Sequence, residues 1–236
     1  MLAVISSCLA PSLQPGHDGA RTNISVETRL GQTRESIASL VRLGFDEIYL
    51  ADNSEHAPSA AVIDQLAPAR VFHFGHFPHR NKGVAEAYLL LALAPQLPAG
   101  RPIMKLSGRY RAAMNLCAKL EGNELVGLFN RSDNGTALST RGYAVSGRDF
   151  LQRLLLGTLD ELYASPWRVV GPRSLFSLAR RVLAPGSDTY PYSDPRSSIE
   201  MCAARWLARH RVPVTRLDKI GIEGLLGSWI NPLISE

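Results

Sequence analysis

Through residue 106 the sequence alternates short apolar runs with stretches whose apolar residues recur at helical spacing. That alternation restricts the fold more than any other feature. Residues 2–8 are an apolar run closed by the turn-rich stretch 11–19 and read as a first strand. Residues 33–43 carry apolar side chains at helical spacing, with Gly44 as a C-terminal stop. The runs 47–51, 70–74 and 102–106 read as further strands, and 60–67 and 83–94 as further helices. The order β-α-β-α-β-α-β predicts an α/β fold with a mostly parallel central sheet and helices on both faces, since right-handed crossovers return each strand parallel to the last.

The second half is less regular. Residues 125–129, 143–146 and 212–217 read as strands, and 149–156 and 197–210 as helices. The stretch 168–192 is rich in Pro, Gly and Arg and reads as a loop-rich border of a site. The 236 residues suit a single domain. Its nucleotide-binding half would be 1–120 and its acceptor-side half 121–236.

Ligands of parallel sheets gather at the carboxyl ends of the strands. The polar clusters fall there: Ser6 and Ser7, Asp52 and Asn53, then Lys105, Ser107, Gly108, Arg109 and Tyr110. The last group offers two cations, a hydroxyl and an unhindered backbone, which points to phosphate rather than to a plain basic turn. Arg80, Asn81, Lys82 and Gly83 precede a helix, where N–H groups and cations make an anion site; an ordinary basic loop has the same composition. Glu200 opens a late amphipathic helix. It is either a general base or a carboxylate that favours the helix dipole, and Asp194 and Glu223 compete for the base role.

Other features narrow the class. Residues 1–100 hold seven Lys/Arg and nine Asp/Glu, so the net charge of +5 comes from the remainder. A basic second half suits a nucleotide diphosphate, a nucleic acid or an anionic membrane face. Without an aromatic stacking run or a known nucleic-acid motif, nucleic acid ranks last. Cys8, Cys117 and Cys202 are far apart and odd in number, which fits a reducing compartment and a cytoplasmic protein. No window approaches the roughly 18 apolar residues of a transmembrane helix, leaving only peripheral membrane contact. His73, His76 and His79 lack carboxylate or thiol neighbours at metal spacing and read as loop or pocket histidines. The absence of GxSxG, P-loop and GxGxxG patterns disfavours a serine hydrolase, a P-loop nucleotidase and a dinucleotide dehydrogenase.

Four places give the chain a resemblance to GT-A-type glycosyltransferases: the first strand, the stretch from Glu47 to Asp52-Asn53-Ser54, the Asn81-Lys82-Gly83 helix start with Glu86, and Glu200 followed by a helix and strand. Lys82-Gly83-x-x-Glu86 with Lys105-x-Ser107-Gly108-Arg109-Tyr110 and Asn115 is similar to bacterial and viral proteins linked to surface-polysaccharide synthesis. The resemblance implies transfer of a sugar from a nucleotide-sugar, as substrate rather than cofactor, to a glycan or lipid-linked glycan. It implies that Asp52 and Asn53 lie near the nucleoside, that Lys82, Lys105 and Arg109 hold the phosphate, that Ser6 is a further substrate-binding residue, and that Glu200 acts as base if the reaction inverts. One departure matters. The acidic DxD motif that ordinarily holds a metal is replaced by Lys105 to Tyr110. The expectation is therefore an enzyme with no metal, in which cations neutralise the leaving phosphate. A non-catalytic relative that keeps the pocket is the alternative.

Overall fold

The computed structural model describes residues 1–10, 25–77, 79, 81–132, 135–164, 198–225 and 233–235. The elements are β1 (Leu2–Ser7), α1 (Val26–Arg42), β2 (Glu47–Asp52), α2 (Ala60–Asp64), β3 (Arg70–His73), α3 (Lys82–Leu93), β4 (Ile103–Ser107) and β5 (Tyr110–Ala112). They continue with β6 (Leu125–Ser132), β7 (Gly135–Val145), α4 (Arg148–Ala164), α5 (Ile199–Arg209), β8 (Val214–Leu217), β9 (Ile222–Leu225) and β10 (Leu233–Ser235). The main sheet has 7 strands in the order β3-β2-β1-β4-β7-β6-β8. Every strand in it except β7 runs in one direction. A second, antiparallel sheet has the order β10-β9-β5.

Side chains alternate across the sheet with period two. Leu2 and Val4 of β1 join α3, α4 and α5 in one apolar cluster, whereas Ala3 and Ile5 join α1 and β5 in another. Helices therefore cover both faces, as expected. The same alternation carries Ser6 to the α3 face and Ser7 to the α1 face, where its Oγ lies 3.3 Å from Thr33 Oγ1.

Helix α1 begins well before the expected residue 33. The Ser25 side chain caps it by accepting from the Thr28 amide. Its first turn is mostly exposed and polar, so no apolar stripe announces it. Its end is as expected: Gly44 takes a left-handed φ of 79°, and the Phe45 amide donates to the Leu40 carbonyl in a Schellman closure. Between these ends Thr33, Ser36 and Ser39 are fully buried. Thr33 Oγ1 donates to the Gly108 carbonyl (3.1 Å), and Ser36 Oγ to that of Tyr110 (2.7 Å). Ser39 Oγ accepts from the Ala112 amide (3.0 Å). Hydroxyls three residues apart on a helix thus meet alternate residues of an adjoining extended segment. They satisfy backbone groups that burial would otherwise leave unpaired.

In the second half β6, β7 and α4 are longer than the sequence patterns indicate, while α5 and β8 are slightly shorter. β6 and β7 form a hairpin with a register shift between Gly127 and Phe129. α4 continues past residue 156 because Leu159 and Leu162 extend its buried face. The expected loop border 168–192 and the turn 11–19 lie outside the described residues. Among the described residues no helix is long and apolar enough to cross a membrane.

Helix α4 meets α5 at Gly157, where an added Cβ would lie 1.9 Å from Trp206 Nε1. Arg209 of α5 also pairs with the buried Glu161 of α4. At an open helical position Gly→Ala gains about 1 kcal/mol. Overpacking against an indole costs about 1–3 kcal/mol. Gly157→Ala is therefore expected to lower Tm, and a thermal melt checks that sign.

Candidate active site

Strands β1 and β4 are adjacent at the point where the order of the sheet reverses, which is where α/β sheets open a crevice at their carboxyl edge. Ser6 and Ser107 are register partners there. The Glu86 carboxylate reaches both from the first turns of α3. Its Oε1 accepts from Ser6 Oγ, from Ser107 Oγ (3.3 Å) and from Lys105 Nζ (2.6 Å). The Glu86 side chain is 25 % exposed, and its Oε2 makes no hydrogen bond among the described residues.

Lys105 differs from its expected role as a free cation. Its side chain is only 1 % exposed. Besides Glu86 it donates to Ser107 Oγ (3.0 Å) and to the Thr140 carbonyl, and it sits 5.8 Å from the Tyr143 ring centre. All its donors are used inside the protein. Burial by itself raises the Glu86 carboxyl, but the Lys105 charge, the hydrogen bonds from Lys105 and Ser6, and Arg109 together hold it below the usual carboxylate value. A carboxylate so depressed is a weak base but a good acceptor for a substrate hydroxyl.

This donor set does not fit a divalent cation. Hard cations take several oxygens, usually ionised carboxylates. Glu86, the carboxylate that meets the end of β4 among the described residues, is already neutralised by Lys105, and Arg109 adds a second positive charge nearby. Among the described residues no three His, Cys, Asp or Glu side chains gather as a metal-binding group.

Asp52 is fully buried at the end of β2. Its Oδ1 accepts from the Leu9 amide (2.9 Å), the Ser54 amide (3.3 Å) and Ser54 Oγ (2.7 Å). Its Oδ2 pairs with His73 Nδ1 at 2.9 Å. Both oxygens serve the protein, and the group left facing outward is His73, whose side chain is 24 % exposed. Asn53 is half-buried, with its amide on the Ser7 carbonyl (3.1 Å).

Other expected residues have structural duties. Asn81 caps α3 by accepting from the Gly83 and Val84 amides. What Gly83 admits is α5, since an added Cβ would lie 2.4 Å from Ile199 Cγ2. Gly108 lets its turn approach β1, with its amide on the Ser6 carbonyl and an added Cβ 2.8 Å from Ser7. Tyr110 is buried in the cluster on the α1 face. Glu200 is held by Thr140 Oγ1 (3.1 Å) and Ser198 Oγ (2.6 Å), so one residue of β7 touches both Glu200 and Lys105. Glu223 is on β9 opposite Arg111, away from this edge. Arg80 and Asp194 lie outside the described residues.

Further cations lie around this network. Arg109 acts electrostatically on Glu86 and on Arg29. Arg29 and Lys82 both act on Cys8, whose thiol is pushed up chiefly by burial and then by Asp52. Sequence reasoning missed Arg29 because it lies in the polar opening of α1; the capping pattern at Ser25 was its only signal. His73 was visible as a histidine, but not as the partner of Asp52.

Lys105→Met would leave the Glu86 carboxylate without its countercharge, a change that typically costs about 3–5 kcal/mol. Because the folded-state carboxyl is depressed, the contribution of the pair is present above the usual carboxylate range and is lost as pH falls through the lower folded value. The variant should be strongly destabilised at neutral pH and progressively less so in acid. Denaturant midpoints at the two pH values test this.

No family model and no curated protein matches the sequence. Solved structures do match. One is assigned as a glucose-1-phosphate thymidylyltransferase of Bacillus anthracis, in complex with a sucrose: 9 % identity, 98 % of this chain and 92 % of that one, TM-score 0.51. A nucleoside-diphosphate-sugar pyrophosphorylase of Vibrio cholerae aligns over 97 % of this chain and 96 % of its own at 9 % identity and a TM-score of 0.48. The galactosyltransferase LgtC, in complex with donor and acceptor sugar analogs, aligns over 70 % of this chain and 63 % of its own at 9 % identity and a TM-score of 0.43. At such identities the likeness is one of fold. The chain has the expected α/β, GT-A-like architecture with a mostly parallel central sheet.

Proposed function

We propose that the protein is a glycosyltransferase that moves a sugar from a nucleotide-sugar donor to a glycan or lipid-linked glycan acceptor without a divalent metal. The observation that carries this reading is the charge arrangement at the carboxyl edge of β4. A buried Lys–Glu pair stands there, and beside it Arg109 has no carboxylate partner among the described residues. Cations fixed in a crevice of low dielectric can stabilise the diphosphate as charge builds on it. The fold, shared with an assigned sugar-phosphate thymidylyltransferase, supports a nucleotide-sugar as the ligand class.

The chemistry follows from that placement. The acceptor hydroxyl attacks the anomeric carbon and gives its proton to Glu200. The bond from that carbon to the diphosphate breaks, and its electron pair leaves with the nucleoside diphosphate, next to Arg109 and Lys82. Glu86 Oε2 accepts a hydroxyl of the donor, and Asp52 orients His73 on the nucleoside side. A cytoplasmic setting, with peripheral membrane contact for a lipid-linked acceptor, suits such a donor.

Calorimetric titration with UDP- and GDP-sugars in EDTA tests the reading. Binding should survive the chelator, and Arg109→Ala should weaken it by about 1.5–3 kcal/mol, as for loss of a hydrogen bond to a charged group. Glu200→Gln should keep donor affinity and lose turnover. Binding that vanishes with EDTA and returns with manganese would overturn the metal-free site. Donor binding with no transfer to any glycan acceptor would favour a non-catalytic relative.

A further inference from the structure

Arg29 has no part in the proposed chemistry, and its surroundings are unusual for an arginine. Its Nη1 donates to Gln32 Oε1 at 3.2 Å, while its Nε is buried without a hydrogen-bond partner. No carboxylate pairs with it among the described residues. Burial, and then the neighbouring Arg109, holds its guanidinium below the ordinary arginine value. It nevertheless stays charged at physiological pH. Arg109 lies 5.5 Å from the centre of the Tyr110 ring and makes no ion pair among the described residues.

This juxtaposition is imposed by the fold. Thr33, one helical turn after Arg29, binds the carbonyl of Gly108, the residue before Arg109. Ser36 and Ser39 continue the same attachment toward β5, so α1 cannot slide to part the two arginines. The repulsion between them is a cost the unliganded protein bears. A multivalent anion between them removes that cost.

We infer that Arg29 and Arg109 form a two-arginine clamp for the diphosphate group of a nucleoside diphosphate. The identity of the nucleotide rests on the proposed donor, but the clamp itself does not. Each guanidinium can grip one phosphoryl group with a two-pronged fork, which a lysine ammonium cannot do. The clamp uses α1 as well as the turn after β4, and it adds to the cations that the sequence indicated.

The probe is inorganic pyrophosphate in EDTA, titrated into the full chain by calorimetry, with melting temperatures measured in its absence. The unaltered protein should bind it. Arg29→Ala and Arg109→Ala should each weaken binding by about tenfold or more. Arg29→Lys should recover little of the loss. Without ligand, Arg29→Ala should melt no lower than the unaltered protein, because repulsion is relieved. The inference is overturned if the unaltered protein does not bind pyrophosphate. It also fails if Arg29→Ala binds as tightly as the unaltered protein, or if it melts lower and Arg29→Lys restores both stability and affinity, which marks a structural arginine. Pyrophosphate binding through Arg29 with no nucleotide-sugar turnover would leave the clamp standing and sink the donor reading. Transfer activity that is indifferent to Arg29→Ala would do the reverse.

Discussion

A lysine ammonium buried in a strand of the main sheet must be neutralised by its neighbours, because taking an ion out of water costs several kcal/mol even after relaxation. Lys105 meets this demand with Glu86 from α3, the Thr140 carbonyl from β7 and Ser107 from its own strand. Three elements are thereby locked in relative position. Glu86 must lie near the start of α3, so the Asn81 cap falls near the carboxyl edge of the sheet. Gly83 then lets α5 approach, and Thr140 ties Glu200 to the same strand residue that takes up Lys105. The arrangement at this edge is shaped by the need to satisfy one buried charge.

That constraint divides the cations into two kinds. Lys105 is spent on the interior and has nothing to offer a ligand. Arg109 and Arg29 repel each other across the turn after β4 and have no carboxylate partner among the described residues. A divalent ion would need carboxylate oxygens that are not already neutralised. The arrangement instead favours an anion bound directly.

The strands β1, β2 and β4 were legible in the sequence because buried parallel strands are largely apolar runs, and edge strand β3 was legible as a short run around Val71 and Phe72 despite its Arg70 and His73. The start of α1 was not, since its first turn from Val26 is mostly exposed and polar and carries no apolar stripe. Strands β5, β9 and β10 escaped because they are short and draw their hydrogen bonds from distant partners. Within the site, Ser6, Lys105, Arg109 and Glu200 stood out by type and position. Their partnerships did not: the Glu86–Lys105 pair, the Asp52–His73 pair and the Arg29–Arg109 repulsion all join residues that only the folded chain brings together.

The central claim is that a diphosphate binds at the carboxyl edge of β1 and β4, held by arginine rather than by metal. A crystal structure with a nucleoside diphosphate, grown in EDTA, tests it most directly. The account predicts phosphate oxygens within hydrogen-bond distance of the Arg109 guanidinium, beside the Ser6–Glu86–Lys105 network, which keeps its ligand-free arrangement. A nucleotide seated elsewhere would contradict it, as would one seen only with manganese present and bridged through that ion to a carboxylate.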